Sequence, residues 1–118
     1  KTRNITHLSE TTLFTTFPEV GREQDSKGFG AVKDLVKLVR YGMDCYAYAL
    51  LAAGHIDLVI EAGLKAYDIS APIAVVEAAG GIVTNWRGGD AHNGGQVVAA
   101  SNQKLLEQVL VFLLPFAD

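Results

Sequence analysis

The stretch from Asp57 to Gly81 limits what this chain can fold into more than any other. Asp57-Leu-Val-Ile-Glu61 is an unbroken apolar run framed by acids, and such a run fits a strand in a sheet covered on both faces. A short loop leads to Asp68. The spacing then predicts a helix over Ile69–Ala79, with small residues (Ser70, Ala71, Ala74, Ala78, Ala79) that allow close approach to neighbours. Pro72 falls in the first turn of that helix, where its missing N–H costs least, and Gly80-Gly81 ends it. A carboxylate therefore stands at a strand-to-helix corner, where a metal or a polar ligand can reach it.

The remaining segments alternate in the same way. Thr11–Thr16, rich in Thr and Phe and followed by Pro18, reads as a strand. Glu19–Gly30 reads as a polar loop with at most a helical turn. Phe29, Val32, Leu35, Val36 and Val39 fall at helical spacing opposite Lys33, Asp34 and Lys37, which predicts an amphipathic helix over Phe29–Leu38. A short strand over Lys37–Arg40 precedes Tyr41-Gly42. Asp44 can cap a helix over Cys45–Ala53, apolar nearly all round and so expected to be buried, with Gly54 at its left-handed end. Ile82–Asn85 reads as a strand, Trp86–Asp90 as a turn, and Gln96–Ala100 as a strand opened by Gly94-Gly95. Asn102–Phe112 reads as a closing helix capped by Ser101 or Asn102, with Leu105, Leu106, Val109, Leu110 and Leu113 facing the core. Alternating strands and helices give an α/β fold class, a layered mixed β-sheet of about five strands with flanking helices.

With 118 residues, the chain has room for a single domain spanning 1–118. Its 49% apolar and 19% charged residues argue for a folded domain rather than disorder. A net charge of -3, with scattered Lys and Arg, gives no footprint for nucleic acid. No apolar run nears the roughly 20 residues that span a bilayer, so no membrane partner is expected, and the first residues lack the apolar core of a signal peptide. Cys45 is the single cysteine, so no internal disulfide can form and a reducing, cytoplasmic setting is expected.

Three places carry candidate chemistry, each with a plainer alternative. Asp68 is either a hard-cation ligand or a helix N-cap. Gly42-Met43-Asp44 could let backbone N–H groups approach a ligand, with Asp44 favouring a hydroxylated or cationic group over phosphate; the alternative is again a cap. Glu61 ends a strand, where α/β folds bind ligands, or is simply a solvated strand end. His7, His55 and His92 show no ligand spacing, and His55 reads as a loop residue. Cys45 reads as core rather than nucleophile. Ser70 has no neighbouring His for a hydrolase triad, and Tyr46, Tyr48 and Trp86 read as packing residues.

Tyr67-Asp68-Ile-Ser-Ala-Pro-Ile-Ala-Val-Val-Glu-Ala-Ala-Gly80-Gly81 resembles the C-terminal signature of the inositol monophosphatase superfamily, in which an aromatic–Asp pair opens a helix ending in Gly-Gly. Ile82-Val-Thr and Val97-Val-Ala-Ala-Ser101-Asn102 resemble that superfamily's closing segments. Arg40-Tyr-Gly-Met-Asp44 together with Asp57–Asp68 looks most like the histidinol-phosphate phosphatase branch, since the inositol branch usually carries a small residue where Asp44 stands.

The resemblance implies the C-terminal half of an αβαβα sandwich and a Mg2+-dependent phosphatase. Asp68 would be a Mg2+ ligand. Gly42, Met43, Asp44, Glu61 and Asp68 would bind the substrate, with the extra acid at position 44 suiting a cationic alcohol such as histidinol. The implied reaction is hydrolysis of L-histidinol phosphate; the alternative substrate is inositol-1-phosphate or a related sugar phosphate, and the non-enzyme alternative is an inactive binding domain of the same fold. The superfamily's other metal ligands lie in a Glu and an Asp-Pro-Ile-Asp-Gly-Thr type motif that this chain lacks, and Met43 stands where Thr or Gly is more usual. The expected partners are therefore an N-terminal half carrying those acids, across an extensive interface, and a second copy in a homodimer. This chain alone is not expected to be active.

Overall fold

The computed structural model describes residues 1–16, 21–42 and 45–118. Five strands form one mixed sheet: β1 (Thr12–Thr15), β2 (Leu38–Tyr41), β3 (Leu58–Leu64), β4 (Ile82–Asn85) and β5 (Gly95–Ala100), in the spatial order β2-β1-β3-β5-β4. β1 runs parallel to β2 and β3, while β5 is antiparallel to both of its neighbours. The helices are α1 (Glu23–Lys33), α2 (Tyr46–Ala52), α3 (Ala66–Ala78) and α4 (Gln103–Leu113). This is the α/β layering that the sequence predicts.

Alternation along the strands builds two cores. Leu13, Leu58, Ile60, Val98 and Ala100 point to one face and pack with Phe29 and Val32 of α1 and Leu105, Leu106 and Val109 of α4. Phe14, Val59, Val97 and Ala99 point to the other and pack with Ala47, Tyr48 and Leu51 of α2 and Ile69, Ile73 and Val76 of α3. β3 is thus covered on both faces, which explains its unbroken apolar sequence. Asp57, just before β3, is fully buried. Its Oδ2 accepts from the Thr12 N–H at 2.9 Å and its Oδ1 lies 3.2 Å from Arg3 Nε, so the buried charge is compensated. α4 opens on Asn102, whose side chain accepts from the Leu105 N–H as a cap does. Trp86 is buried and donates from Nε1 to the Val97 carbonyl at 3.2 Å, a packing role as expected.

β3 runs on to Leu64, three residues past the Glu61 at which the sequence reading ends it, and three helices also depart from that reading. α1 begins at Glu23 rather than Phe29 and ends at Lys33, where the chain turns into β2. Its inward stripe is Asp25, Gly28, Phe29 and Val32, and two of those four are invisible to a search for apolar periodicity. α2 is not buried all round: Cys45, Tyr46 and Ala49 are exposed, because the helix lies on the sheet with its outer side uncovered among the described residues. The Asp44 cap falls outside the described residues. α3 begins at Ala66, one turn earlier than expected, which places Asp68 at its third position and Pro72 in the second turn. Pro72 therefore cannot donate to the Asp68 carbonyl one turn back.

Asp25 is a second buried acid, 2% exposed. Its Oδ2 accepts from the Arg22 backbone N–H at 2.8 Å and from Arg22 Nε at 3.0 Å. Its Oδ1 accepts from Arg22 Nη2 at 3.1 Å and from Gln96 Nε2 at 2.7 Å. Burial pushes the carboxyl pKa up, but the hydrogen bonds from Arg22 and Gln96 outweigh it and hold the group below its ordinary 3.8. The folded value lies below the unfolded one, so this contribution to stability is complete above about pH 4 and is lost as pH falls through the folded value. Asp25→Asn is therefore expected to lose less stability than the wild type between about pH 6 and pH 3, measured by urea unfolding at each pH. Equal losses would show that Asp25 does not carry the acid sensitivity.

Candidate active site

The carboxyl ends of the parallel strands β1 and β3 converge on one edge of the sheet, where open α/β sheets bind ligands. Thr16 follows β1, and Glu61 lies on the last regular stretch of β3 before a bulge between Glu61 and Leu64. Thr16 Oγ1 lies 3.0 Å from both Glu61 carboxylate oxygens and donates to them. Glu61 is 6% exposed, so it is not a solvated strand end; a hydroxyl donor compensates part of the cost of burying its carboxylate.

β3 then leads into the first turn of α3. Asp68 Oδ2 accepts from the Lys65 backbone N–H at 2.9 Å, closing that turn from its third position. Asp68 is therefore not an N-cap, although its carboxylate does satisfy a backbone donor. Its Oδ1 has no hydrogen-bond partner among the described residues, and the side chain is exposed. Glu61, Thr16 and Asp68 line one cavity of about 450 Å³. Cys45, Tyr67 and Ala71 complete the part of the wall that concerns the site. Tyr67 is 80% exposed, an aromatic ring standing at the rim.

The structure thus brings together Glu61 and Asp68 of the five residues that sequence reasoning selected. Gly42 follows β2 in a left-handed conformation (φ +86°), its N–H donating to the Thr16 carbonyl at 2.9 Å; it is not on the cavity wall. Met43 and Asp44 lie outside the described residues. Thr16 was missed, and its signal is its place at the end of β1, on the edge where Glu61 ends its own strand. Cys45, read as core, is exposed on the cavity wall, because it precedes α2 and lies toward the site rather than the sheet. Of the histidines, His55 is an exposed loop residue, and His92 Nδ1 contacts the Asp90 carboxylate in an exposed turn. Among the described residues, no group of three or more His, Cys, Asp or Glu could hold a metal ion. Among the described residues, Asp68 offers a hard cation a carboxylate oxygen without a hydrogen-bond partner, which fits a single ligand and not a complete set. No described helix is long and apolar enough to cross a membrane.

Similarity to known proteins agrees with this geometry. A family profile, the inositol monophosphatase family, matches residues 2–114. The chain is 52% identical over 87 residues to the bifunctional phosphatase IMPL2, chloroplastic, of Arabidopsis thaliana, covering 74% of this chain and 25% of that protein. It is 31% identical over 68 residues to a histidinol-phosphatase of Chlorobaculum parvum, covering 58% of this chain and 26% of that one. An inositol monophosphatase structure from Zymomonas mobilis superposes with a TM-score of 0.91 at 36% identity, covering 96% of this chain and 46% of that chain. The chain thus spans less than half the length of each of these proteins. With a match running almost end to end and a shared five-stranded fold, the chain belongs to the inositol monophosphatase family.

Proposed function

We propose that this chain is the C-terminal part, residues 1–118, of a Mg2+-dependent phosphate monoester phosphatase whose substrate is L-histidinol phosphate. One observation carries the reading. The Asp68 carboxylate is pinned on one oxygen by Lys65 and open on the other, in the same cavity as a buried Glu61 held by Thr16. Magnesium bound there would supply a Lewis acid and an activated water. The residues of this chain position and bind. Asp68 offers one ligand oxygen at a fixed place on α3. Glu61 accepts a hydroxyl or ammonium hydrogen of the leaving alcohol, and Thr16 holds its carboxylate in register. From the sequence resemblance, Met43, Asp44 and Gly42 are proposed as further substrate contacts, with the Asp44 charge favouring a cationic alcohol, although Gly42 does not line this cavity.

The remaining metal ligands belong to an upstream half. The exposed outer face of α2 and α3, with Tyr46, Tyr67 and Val75 uncovered, supports an interface with that half. The complete enzyme is proposed as a homodimer acting in histidine biosynthesis in a reducing compartment, the cytoplasm. The 31% identity to a histidinol-phosphatase supports the branch, while likeness to the Zymomonas enzyme supports inositol phosphate as the second reading.

The test is a phosphate-release assay of the protein, complete or reconstituted with an upstream half, on histidinol phosphate and on inositol-1-phosphate. The proposal expects kcat/KM for histidinol phosphate to be higher by about 10-fold or more, which corresponds to about 1.4 kcal/mol in transition-state binding. Equal or greater activity on inositol phosphate would remove the branch. No activity on either, in a folded protein with Mg2+ present, would favour an inactive binding domain.

A further inference from the structure

Glu61 is held at its own carboxylate and through the next residue of β3. On the cavity side it meets Thr16. On the opposite face of the sheet, the next residue of β3, Ala62, meets Gly21, just before α1: a Cβ at Gly21 would lie 3.0 Å from the Ala62 Cβ. Thr16 and Gly21, described residues between β1 and α1, therefore lie against consecutive residues of β3. Gly21 is in turn fixed from behind by Asp25. A Cβ at Gly21, where φ is +55°, would come 2.4 Å from Asp25 Oδ2, so the carboxylate occupies the space that any other residue would need.

Asp25 itself is anchored to three separate parts of the chain. Arg22 and Gln96 donate to it. Gln96 also donates to the Phe116 carbonyl at 2.9 Å and accepts from the Asp118 N–H at 2.8 Å. Arg22 Nη2 pairs with the Asp118 carboxylate at 2.8 Å. The network therefore ties the start of α1, the start of β5 and the end of the chain to one point behind Glu61. Gln96 adjoins Val97, the partner of Glu61 across β3 and β5, so the anchor is one residue away in register from the group that it supports.

We infer that Asp25 is a positioning residue for Glu61: its carboxylate, locked by Arg22 and Gln96, presses Gly21 against Ala62 and so sets where the Glu61 carboxylate stands in the cavity. This rests on the proposed role of Glu61 in holding the substrate's alcohol. Asp25 is 2% exposed and does not line the cavity that holds Glu61 and Asp68, so it acts through the backbone and not on substrate.

The test compares wild type, Asp25→Asn and the milder Arg22→Ala, whose replaced side chain is largely exposed, each in the protein with its upstream half. Steady-state kinetics use whichever of the two phosphate monoesters the wild type hydrolyses. Loosening Glu61 is expected to raise KM by about 5- to 10-fold in Asp25→Asn, and less in Arg22→Ala, with kcat within about twofold, because it weakens binding of ground and transition states alike. A purely structural role would lower the folded fraction, and so kcat, and leave KM unchanged. Backbone hydrogen exchange over Ala62–Leu64 is expected to quicken by about 10-fold in Asp25→Asn. An unchanged KM overturns the inference. If the wild type hydrolyses neither compound, the functional reading fails by itself, and exchange decides: faster exchange at Ala62–Leu64 upholds the anchor and unchanged exchange overturns it.

Discussion

Asp68→Asn is expected to lower phosphate monoester hydrolysis by the complete protein by about 100-fold or more, and to raise the Mg2+ concentration needed for half-maximal activity. The expectation rests on the two oxygens of Asp68 having different partners. One accepts from the Lys65 N–H; the other has no hydrogen bond among the described residues and reaches the cavity. An asparagine oxygen can still accept from Lys65, so the first turn of α3 keeps its closure and stability should change by less than about 1 kcal/mol. What is lost is the negative charge, which a hard divalent cation needs and a backbone N–H does not. Asp68→Ala provides the control, because it removes the turn-closing bond as well and should be less stable than Asp68→Asn. If Asp68→Asn keeps wild-type activity and an unchanged Mg2+ requirement, Asp68 serves the helix alone.

The second large effect is on stability. Gly94→Ala is expected to destabilise the protein by about 3 kcal/mol or more, a loss of roughly 10 °C in Tm for a domain of this size. Two costs act together. Gly94 has φ +78°, where an L side chain is strained by about 1–2 kcal/mol. A Cβ there would also lie 2.3 Å from the Leu64 carbonyl oxygen and 2.8 Å from the Lys65 carbonyl carbon. Both atoms are backbone at the exit of β3, so they cannot swing aside as a flexible side chain would. The strain would be relieved by moving the segment that carries Asp68, so Gly94→Ala should lower activity as well as Tm. A melting temperature within about 2 °C of wild type would show that this close approach is not a constraint.

Much of the fold is legible because burial writes itself into the sequence. β3 has to be apolar on both faces and α4 shows its inward stripe at helical spacing, so the start of β3 and both ends of α4 are legible to within a residue, while the last three residues of β3, beyond Glu61, carry no apolar run. α1 was misplaced because its inward face carries Asp25 and Gly28, a hydrogen-bonded acid and a residue without a side chain, which no apolar pattern marks. α2 looked buried because alanine is at home on either side of a helix, and a run of them carries no sign of which side faces the sheet. In the site, Asp68 and Glu61 were found by position, one at a helix start and one at a strand end. Burial of Glu61 was not legible, since it depends on Thr16, 45 residues away in sequence. The Asp25 network was equally hidden, because its partners Gln96 and Asp118 come from distant parts of the chain that only the folded sheet brings together.

The central claim is that the corner between β3 and α3 is one wall of a metal site. Anomalous diffraction from crystals of the complete protein grown with Mn2+ tests it most directly. The account predicts an anomalous peak within about 2.5 Å of an Asp68 carboxylate oxygen, in the cavity shared with Glu61. A fully occupied metal position whose ligands do not include Asp68 would contradict it.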